Sequence, residues 1–360
     1  MKKNKKIKAL ILKLITNKSK NSFDIRKSKS VLVLKYDRIG DMVLTTPIFR
    51  ELKKVYPDIS LSVLASKENK DVIQNNPYVD KIYTNYKNNI FNDLPILLKL
   101  RKKAFDVCIE LEHSVIPHAI FRLKIIKPKK IISIHKDGRY GVNGNELKLY
   151  DYFTEKDKKN HFGKIWLDTL SFFGVEPSSD KYDFFTSKND RNKAKSFVSS
   201  FNNKLKIGIN IEGSFPEKSI QKKELEKICI GLYNNFKNIT IVILAGPKNF
   251  LEKTKLIASL NLDFVVSSYI TKTITEAGAL IEQLDLIITP DTSIVHIAAS
   301  FDKPVVSIHE NNEDSFRLWA PTSTLSKTIF ASSSYGLFDY SVDDVIKSAT
   351  DFLKIIELDI

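Results

Sequence analysis

Two series of short apolar segments, each alternating with amphipathic helical patterns, constrain the fold of this chain more than any other feature. The two series predict ten strands, at residues 31–34, 59–64, 79–83, 105–111 and 130–134, and then at 207–211, 239–244, 262–266, 284–288 and 304–308. Apolar strands that alternate with helices are typical of parallel sheets with helices on both faces. The sequence therefore predicts an α/β protein with two consecutive doubly wound halves.

The length of 360 residues is sufficient for two such domains, each with its own core. We predict four parts: a basic amphipathic arm (1–29), a first Rossmann-like domain (30–180), a second Rossmann-like domain (181–340) and a C-terminal segment (341–360). The helix in this last segment is expected to pack back on the first domain. A polar segment at 136–160 interrupts the first series, and we predict that it is a mobile loop.

The net charge of +15 is concentrated in the arm, where eleven basic residues face one acidic residue. Within it, apolar residues recur at helical spacing: Ile7, Leu10, Ile11, Leu14 and Ile15. This pattern is typical of an interfacial helix on an anionic membrane, and a solvated tail is the alternative. The rest of the chain is only mildly basic and has no nucleic-acid recognition motif, so we expect no nucleic-acid binding. No segment reaches transmembrane length.

Cys108 and Cys229 are too few and too far apart for a disulfide framework or a metal site. We expect both to be core residues of a protein from a reducing compartment. No cluster of His, Cys, Asp and Glu has the spacing of metal ligands, so we expect no metal.

Doubly wound sheets bind ligands at the carboxyl ends of their strands. After the first predicted strand, residues 35–41 read KYDRIGD and lead into a helix. Asp41 at a helix N-terminus is favoured in its ionised form, and it is either a general base or an N-cap.

Three loops of the second half meet the same criterion. Residues 212–218 combine a small-residue turn with Lys218, which suits phosphate oxygens unless it is simply solvated. Residues 289–293 end at a helix start, where Asp291, Thr292 and Ser293 would hold an anion. His296, one turn further on, is either a ligand or a core residue. Gly246 follows the strand at 239–244 and suits a nucleotide that lies across the sheet edge.

Taken together, three motifs resemble one family. Residues 36–47 (YDRIGDMVLTTP), 213–218 (GSFPEK) and 289–296 (TPDTSIVH) are similar to the ordered motifs of glycosyltransferase family 9, the ADP-heptose:lipopolysaccharide heptosyltransferases. The resemblance extends over nearly the whole chain after residue 30. It implies a GT-B fold, with two Rossmann-like domains facing a central cleft, the acceptor on the first and the nucleotide-sugar donor on the second.

By position, the resemblance makes Asp41 the catalytic base. It implies donor binding by Gly213, Ser214, Lys218, Gly246, Thr273, Asp291, Thr292, Ser293 and His296. It implies acceptor binding by Lys35, Asp37, Arg38, Gly40 and Thr45, with further lysines from the 136–160 segment. The family usually has Gly in place of Ser293, Trp in place of Ile220 and a Gly-Pro-Thr-Asp type of loop in place of residues 309–312, and all three departures fall on the donor side.

The implied activity is inverting, metal-independent and cofactor-free transfer of a heptose from a nucleotide sugar, ADP-heptose, to a lipopolysaccharide or lipooligosaccharide core. The enzyme would act in the cytoplasm, as a peripheral protein on the inner membrane bound through residues 1–20. Two alternatives stay open: a transferase or epimerase for another nucleotide sugar, and a non-catalytic membrane-surface protein.

Overall fold

The computed structural model describes residues 2–18, 22–85, 90–155 and 160–358 of the chain. The chain divides into two compact units, Met1–Asp180 and Lys181–Ile360. Each unit is built around one six-stranded, wholly parallel sheet with flanking helices, as the sequence predicts. The protein is therefore an α/β protein with two Rossmann-like units.

The first unit has the strand order β3-β2-β1-β4-β5-β6. Its strands are β1 (Ser30–Leu34), β2 (Ser60–Ser66), β3 (Lys81–Asn85), β4 (Val107–Glu110), β5 (Lys130–Ile134) and β6 (Tyr152–Thr154). Its helices are α1 (Lys2–Ile15), α2 (Ile39–Val55), α3 (Ile90–Lys103), α4 (Pro117–Ile126) and α5 (Phe162–Leu167). The strand order reverses direction between β1 and β4, so the loops after these two strands open at a topological switch point.

The second unit repeats this topology in the order β12-β11-β10-β7-β8-β9. Its strands are β7 (Leu205–Ile209), β8 (Ile239–Ile243), β9 (Val265–Ser267), β10 (Leu286–Pro290), β11 (Val305–His309) and β12 (Ser326–Phe330). Its helices are α6 (Lys188–Val198), α7 (Lys222–Asn235), α8 (Phe250–Ala258), α9 (Ile274–Glu282), α10 (Ser293–Ser300), α11 (Glu313–Trp319) and α12 (Val342–Leu358). Here the switch point lies between β7 and β10.

Central strands in both units are buried on both faces, which explains their continuous apolar sequences. All five residues of β8 are buried, and so are all four residues of β4. Cys108 and Cys229 are fully buried free thiols, which confirms that they are core residues. Helix α12 packs on α7 and on β10 to β12 of its own unit, and its expected packing on the first domain stays a prediction.

The segment at 136–160 is not the mobile loop that its polar composition predicts. Residues 136–155 contain a 3-10 turn, Gly144–Glu146, and the edge strand β6. The prediction was wrong because Leu147, Leu149 and Tyr150 are spaced among polar residues and all three join the core of the unit. Residues 156–159 lie outside the described part of the chain.

Helix α1 is docked on the first unit rather than solvated, so the tail alternative is wrong. Leu12 is buried in the unit's core, and Lys18 ion-pairs with Asp151 at 2.7 Å. A second ion pair joins Lys13 to Glu146. The outer face of the helix is apolar, with exposed side chains at Ile7, Leu10, Ile11, Leu14 and Ile15. Among the described residues, no helix has the length and apolar character needed to cross a membrane.

Candidate active site

Asp41 lies at the switch point of the first unit, in the first turn of α2. The helix begins at Ile39 and its N-cap is Arg38, which makes no side-chain capping hydrogen bond. Reading Asp41 as the N-cap is therefore wrong. Its side chain is 15% exposed, so it remains reachable, and Oδ2 lies 3.3 Å from the Nζ of Lys35.

Lys35 is buried under the loop that follows β1. Its ammonium lies 2.9 Å from Oδ2 of Asp37 and stacks 4.1 Å from the ring centroid of Trp166. Burial alone would lower the pKa of Lys35, but the nearby carboxylates of Asp41 and Asp37 outweigh it and raise the pKa. Lys35 is thus a permanent cation whose contacts fix the Asp41 carboxylate.

Beneath this pair, Glu112 hydrogen-bonds to Asp37. Burial, together with the negative charge of Asp37, raises the pKa of Glu112 to about 8. The hydrogen bond between the two carboxyl groups therefore joins Glu112 to the Asp37 side chain that pairs with Lys35.

A second buried ion pair lies deeper, between Glu110 at the end of β4 and Lys136 after β5. Both side chains are fully buried, and the Lys136 ammonium also donates to the carbonyl oxygen of Glu112. Ser133 adds a hydroxyl hydrogen bond to Glu110 at 3.1 Å. Lys136 is thus part of the interior, which corrects the expectation that it contacts an acceptor.

The remaining residues expected at the acceptor side differ in access. Arg38 is exposed, whereas Gly40 and Thr45 are buried. The Thr45 hydroxyl donates to the carbonyl oxygen of Asp41 at 2.8 Å, so this buried side chain stabilises the first turn of α2. Glu110, Glu112 and Lys136 were missed as members of the cluster, although charges at the ends of otherwise apolar strands are a visible signal.

In the second unit, Asn210 ties two loops together at the switch point. Its side-chain amide donates to the carbonyl oxygen of Glu212 at 3.0 Å, and to the hydroxyls of Thr289 and Thr292 at 3.0 and 3.3 Å. Thr292 is the N-cap of α10, and Ser293 is its first residue. The structure thus brings the 212–218 loop and the start of α10 together.

Lys218 ends a short 3-10 turn, Pro216–Lys218, and ion-pairs with Glu310 at 2.5 Å. Gly213 lies against it so closely that a Cβ at this position would meet the Lys218 carbonyl oxygen at 2.0 Å. Only glycine fits there. Ser214 is exposed beside them.

Asp291 is an accessible acidic group of this loop cluster, with a side chain that is 45% exposed. Its Oδ2 lies 3.9 Å from Nδ1 of His309 at the end of β11. Burial lowers the pKa of His309, so this imidazole is neutral at physiological pH. His296 is buried in α10, with its ring near those of Tyr182 and Trp319.

Gly246 follows β8 and faces open space, since a Cβ there would meet no atom within 4 Å. Thr273 is the N-cap of α9, and its hydroxyl accepts from the amide of Glu276. Sequence reasoning missed Lys253, a buried lysine of α8 that ion-pairs with Glu212 at 2.7 Å and donates to the carbonyl oxygen of Leu244. Within the described ranges, no group of three or more His, Cys, Asp or Glu side chains is placed to hold a metal ion.

Two doubly wound units in one chain, each with polar groups gathered at its switch point, are typical of the GT-B fold. The model of glycosyltransferase family 9 (heptosyltransferase) matches residues 96–334. The chain belongs to that family and is a glycosyltransferase.

Individual relatives agree with this assignment at low identity. Lipopolysaccharide heptosyltransferase 1 of Campylobacter coli is 21% identical over 301 residues, which cover 77% of this chain and 83% of that protein. The crystal structure of the glycosyl transferase family 9 from Veillonella parvula superposes with a TM-score of 0.76 at 18% identity, covering 92% of this chain and 99% of the other. E. coli heptosyltransferase WaaC with ADP gives a TM-score of 0.68 at 13% identity, with coverages of 89% and 99%.

Proposed function

We propose that this enzyme transfers a heptose from ADP-heptose to a lipopolysaccharide or lipooligosaccharide core acceptor, with inversion at the anomeric carbon and without a metal ion. The observation that carries the proposal is the accessible Asp41 carboxylate, fixed by the buried Lys35 at the switch point of a family 9 chain. The similarity to lipopolysaccharide heptosyltransferase 1 of Campylobacter coli supports the proposed acceptor, and the similarity to a heptosyltransferase structure with ADP supports the proposed donor nucleotide.

In this mechanism Asp41 is the general base. It accepts the proton of an acceptor hydroxyl while that oxygen attacks the anomeric carbon from the face opposite the leaving nucleoside diphosphate. The resemblance implies that Lys35 binds the acceptor, but its side chain is buried against Trp166, so we assign it no acceptor contact. Its role is to hold the carboxylate in place, and Arg38 is the exposed cation of this loop that is available to an anionic acceptor.

The second unit would bind the donor. Lys218 and the N-terminal end of α10 offset the charge that develops on the leaving diphosphate, which is the task of Mg²⁺ in many other phosphate-leaving reactions. Asp291 would repel phosphate, so we assign it to sugar hydroxyls. Gly246 and Thr273 would lie near the nucleoside, and His296, being buried, would act through the shape of the loop.

Lys218→Ala is expected to weaken binding of ADP. A charge-assisted contact to phosphate contributes about 1.5 to 3 kcal/mol, so we expect roughly a tenfold to hundredfold rise in the dissociation constant, measured by calorimetry. Lys222→Ala, an exposed lysine at the start of α7, is the control and should leave ADP affinity unchanged. Equal ADP affinity in Lys218→Ala and the parent protein would place Lys218 outside the donor site.

A panel of nucleotide sugars tested by thermal unfolding would identify the donor. A ligand that binds only the folded protein stabilises it by about 2.7 kcal/mol at a concentration one hundred times its dissociation constant. ADP-heptose is expected to raise the melting temperature more than UDP-, GDP- or CDP-sugars do. A larger shift with another nucleotide sugar would favour the alternative donor that Ser293 and the 309–312 loop leave open.

The enzyme is proposed to act at the inner membrane, with α1 as its contact. The outer face of α1 exposes Leu10 and Leu14 by 59% and 67%, and lysines flank these side chains. Apolar side chains framed by lysines suit a surface of anionic lipid. An acceptor that carries a lipid is confined to the same surface, so this contact would raise the encounter rate.

Replacing both Leu10 and Leu14 with Asp is expected to abolish most sedimentation with anionic vesicles while turnover on a water-soluble acceptor stays unchanged. Point substitutions are preferable to deletion of residues 1–27, because Leu12 and Ile25 are buried and their loss would uncover the core. The control is Leu358→Asp, which changes an 87% exposed side chain at the end of α12. Unchanged sedimentation of the double variant would exclude α1 as the membrane contact.

A further inference from the structure

The loop after β11 places a carboxylate directly on the cation of the proposed donor site. One oxygen of Glu310 pairs with the Lys218 ammonium, and its other oxygen accepts the backbone N–H of Gly336 at 2.6 Å. The carboxylate is only 19% exposed. Glu310 therefore has a contact on each side and is fixed beside Lys218 rather than free to turn into solvent.

The surrounding backbone reinforces this position. The N–H of Leu337 donates to the carbonyl oxygen of Glu217 at 2.8 Å, so the turn that holds Glu310 is also bound to the loop that carries Lys218. A phosphate group that reaches the Lys218 ammonium must accordingly lie within a few ångströms of the Glu310 carboxylate. At that separation, two like charges in a partly buried site repel appreciably.

The two phosphorylated ligands of a glycosyltransferase differ in charge. In the nucleotide-sugar donor, the terminal phosphate is esterified to the sugar, whereas in the nucleoside diphosphate product it is free. A free terminal phosphate has a second ionisation near pH 6, so the product carries about one more negative charge than the donor at neutral pH. A fixed carboxylate beside the phosphates therefore opposes the product more strongly than the donor.

We propose that Glu310 is a specificity-determining residue that disfavours the nucleoside diphosphate product relative to the nucleotide-sugar donor, and so promotes product release. This inference rests on the proposed contact between Lys218 and the diphosphate. It assigns a function to the 309–312 loop, where the chain departs from the family's usual sequence. Glu310 neutralises Lys218 in the empty site and remains as a counter-charge when the diphosphate is bound.

The test compares binding of ADP with that of ADP-ribose, a commercially available diphosphate with an esterified terminal phosphate. Both are titrated by calorimetry into the full chain and into Glu310→Gln, which keeps the shape of the side chain and an oxygen acceptor for Lys218. We expect Glu310→Gln to bind ADP at least tenfold more tightly, and ADP-ribose less than threefold more tightly. Glu217→Gln, the same change at an exposed neighbouring acid, is the control and should alter neither affinity more than twofold.

An unchanged ratio of ADP to ADP-ribose affinity in Glu310→Gln would overturn the inference. If Glu310 served only to join the loops of Lys218 and Gly336, its replacement would lower the affinities for ADP and ADP-ribose equally. If Glu310→Gln unfolds, Glu310→Ala is the second variant. It is also expected to gain more affinity for ADP than for ADP-ribose. If the proposed function itself were wrong, the result would be different, because Lys218→Ala would then leave the affinity for ADP unaltered.

Discussion

Asp41→Asn is expected to lower turnover by about 10²-fold or more, because the asparagine amide cannot accept the proton of the acceptor hydroxyl. The substitution keeps the size of the side chain, and it changes a residue that is not the N-cap of α2. Folding and ADP binding should therefore stay close to those of the parent protein. The measurements are kcat under saturating donor, the melting temperature and the dissociation constant of ADP.

The matched control is Asp58→Asn, which removes a carboxylate from the exposed turn after α2. Its turnover should equal that of the parent. If Asp41→Asn retains near-parental kcat, Asp41 is not the base and its contact with Lys35 is structural alone. A fall in kcat accompanied by an equal loss of folded protein would point to the same conclusion.

Lys136→Met is expected to destabilise the first unit by about 3 to 5 kcal/mol, because it leaves the Glu110 carboxylate buried without its counter-ion. Both members of the pair are fully buried, so water cannot replace the lost partner. The free energy of unfolding from urea titrations would show the change.

Lys129→Met is a suitable control, since it breaks an ion pair with Asp106 in which the lysine is 45% exposed. A surface pair of this kind contributes about 0 to 1 kcal/mol. The double variant Glu110→Gln/Lys136→Met should recover part of the loss, because it removes the orphaned charge. If Lys136→Met lowers the free energy of unfolding no more than Lys129→Met does, the Glu110 side chain does not depend on Lys136 as its counter-ion.

The strands that the sequence predicts are those with continuous apolar runs. All ten are present, with ends displaced by a few residues, because buried strands of a parallel sheet must be apolar on both faces. The two missed strands, β6 and β12, are the terminal strands of their sheets at one edge. In β12 only Ile329 is buried, so neither an apolar run nor a strict alternation marks it.

The candidate site likewise contains residues that the sequence predicts and residues that it does not. Asp41 and Lys218 follow predicted strands and belong to motifs, so their sequence neighbourhood is sufficient to single them out. The roles of Glu310 and Lys253 depend on partners that are distant in the sequence and become close only in the folded sheet. Lys218 and Glu310, for example, are 92 positions apart. Local sequence shows that such a side chain is charged, but not which charge it will meet.

The most direct test is transfer of heptose from ADP-heptose to a Kdo-lipid A type of acceptor by the full chain in the presence of EDTA. We expect one ADP released for each heptose transferred, with the anomeric configuration inverted relative to the donor by NMR. Addition of Mg²⁺ should not raise the rate. Retained configuration, or activity that EDTA abolishes and Mg²⁺ restores, would contradict a metal-independent displacement in which Asp41 is the base.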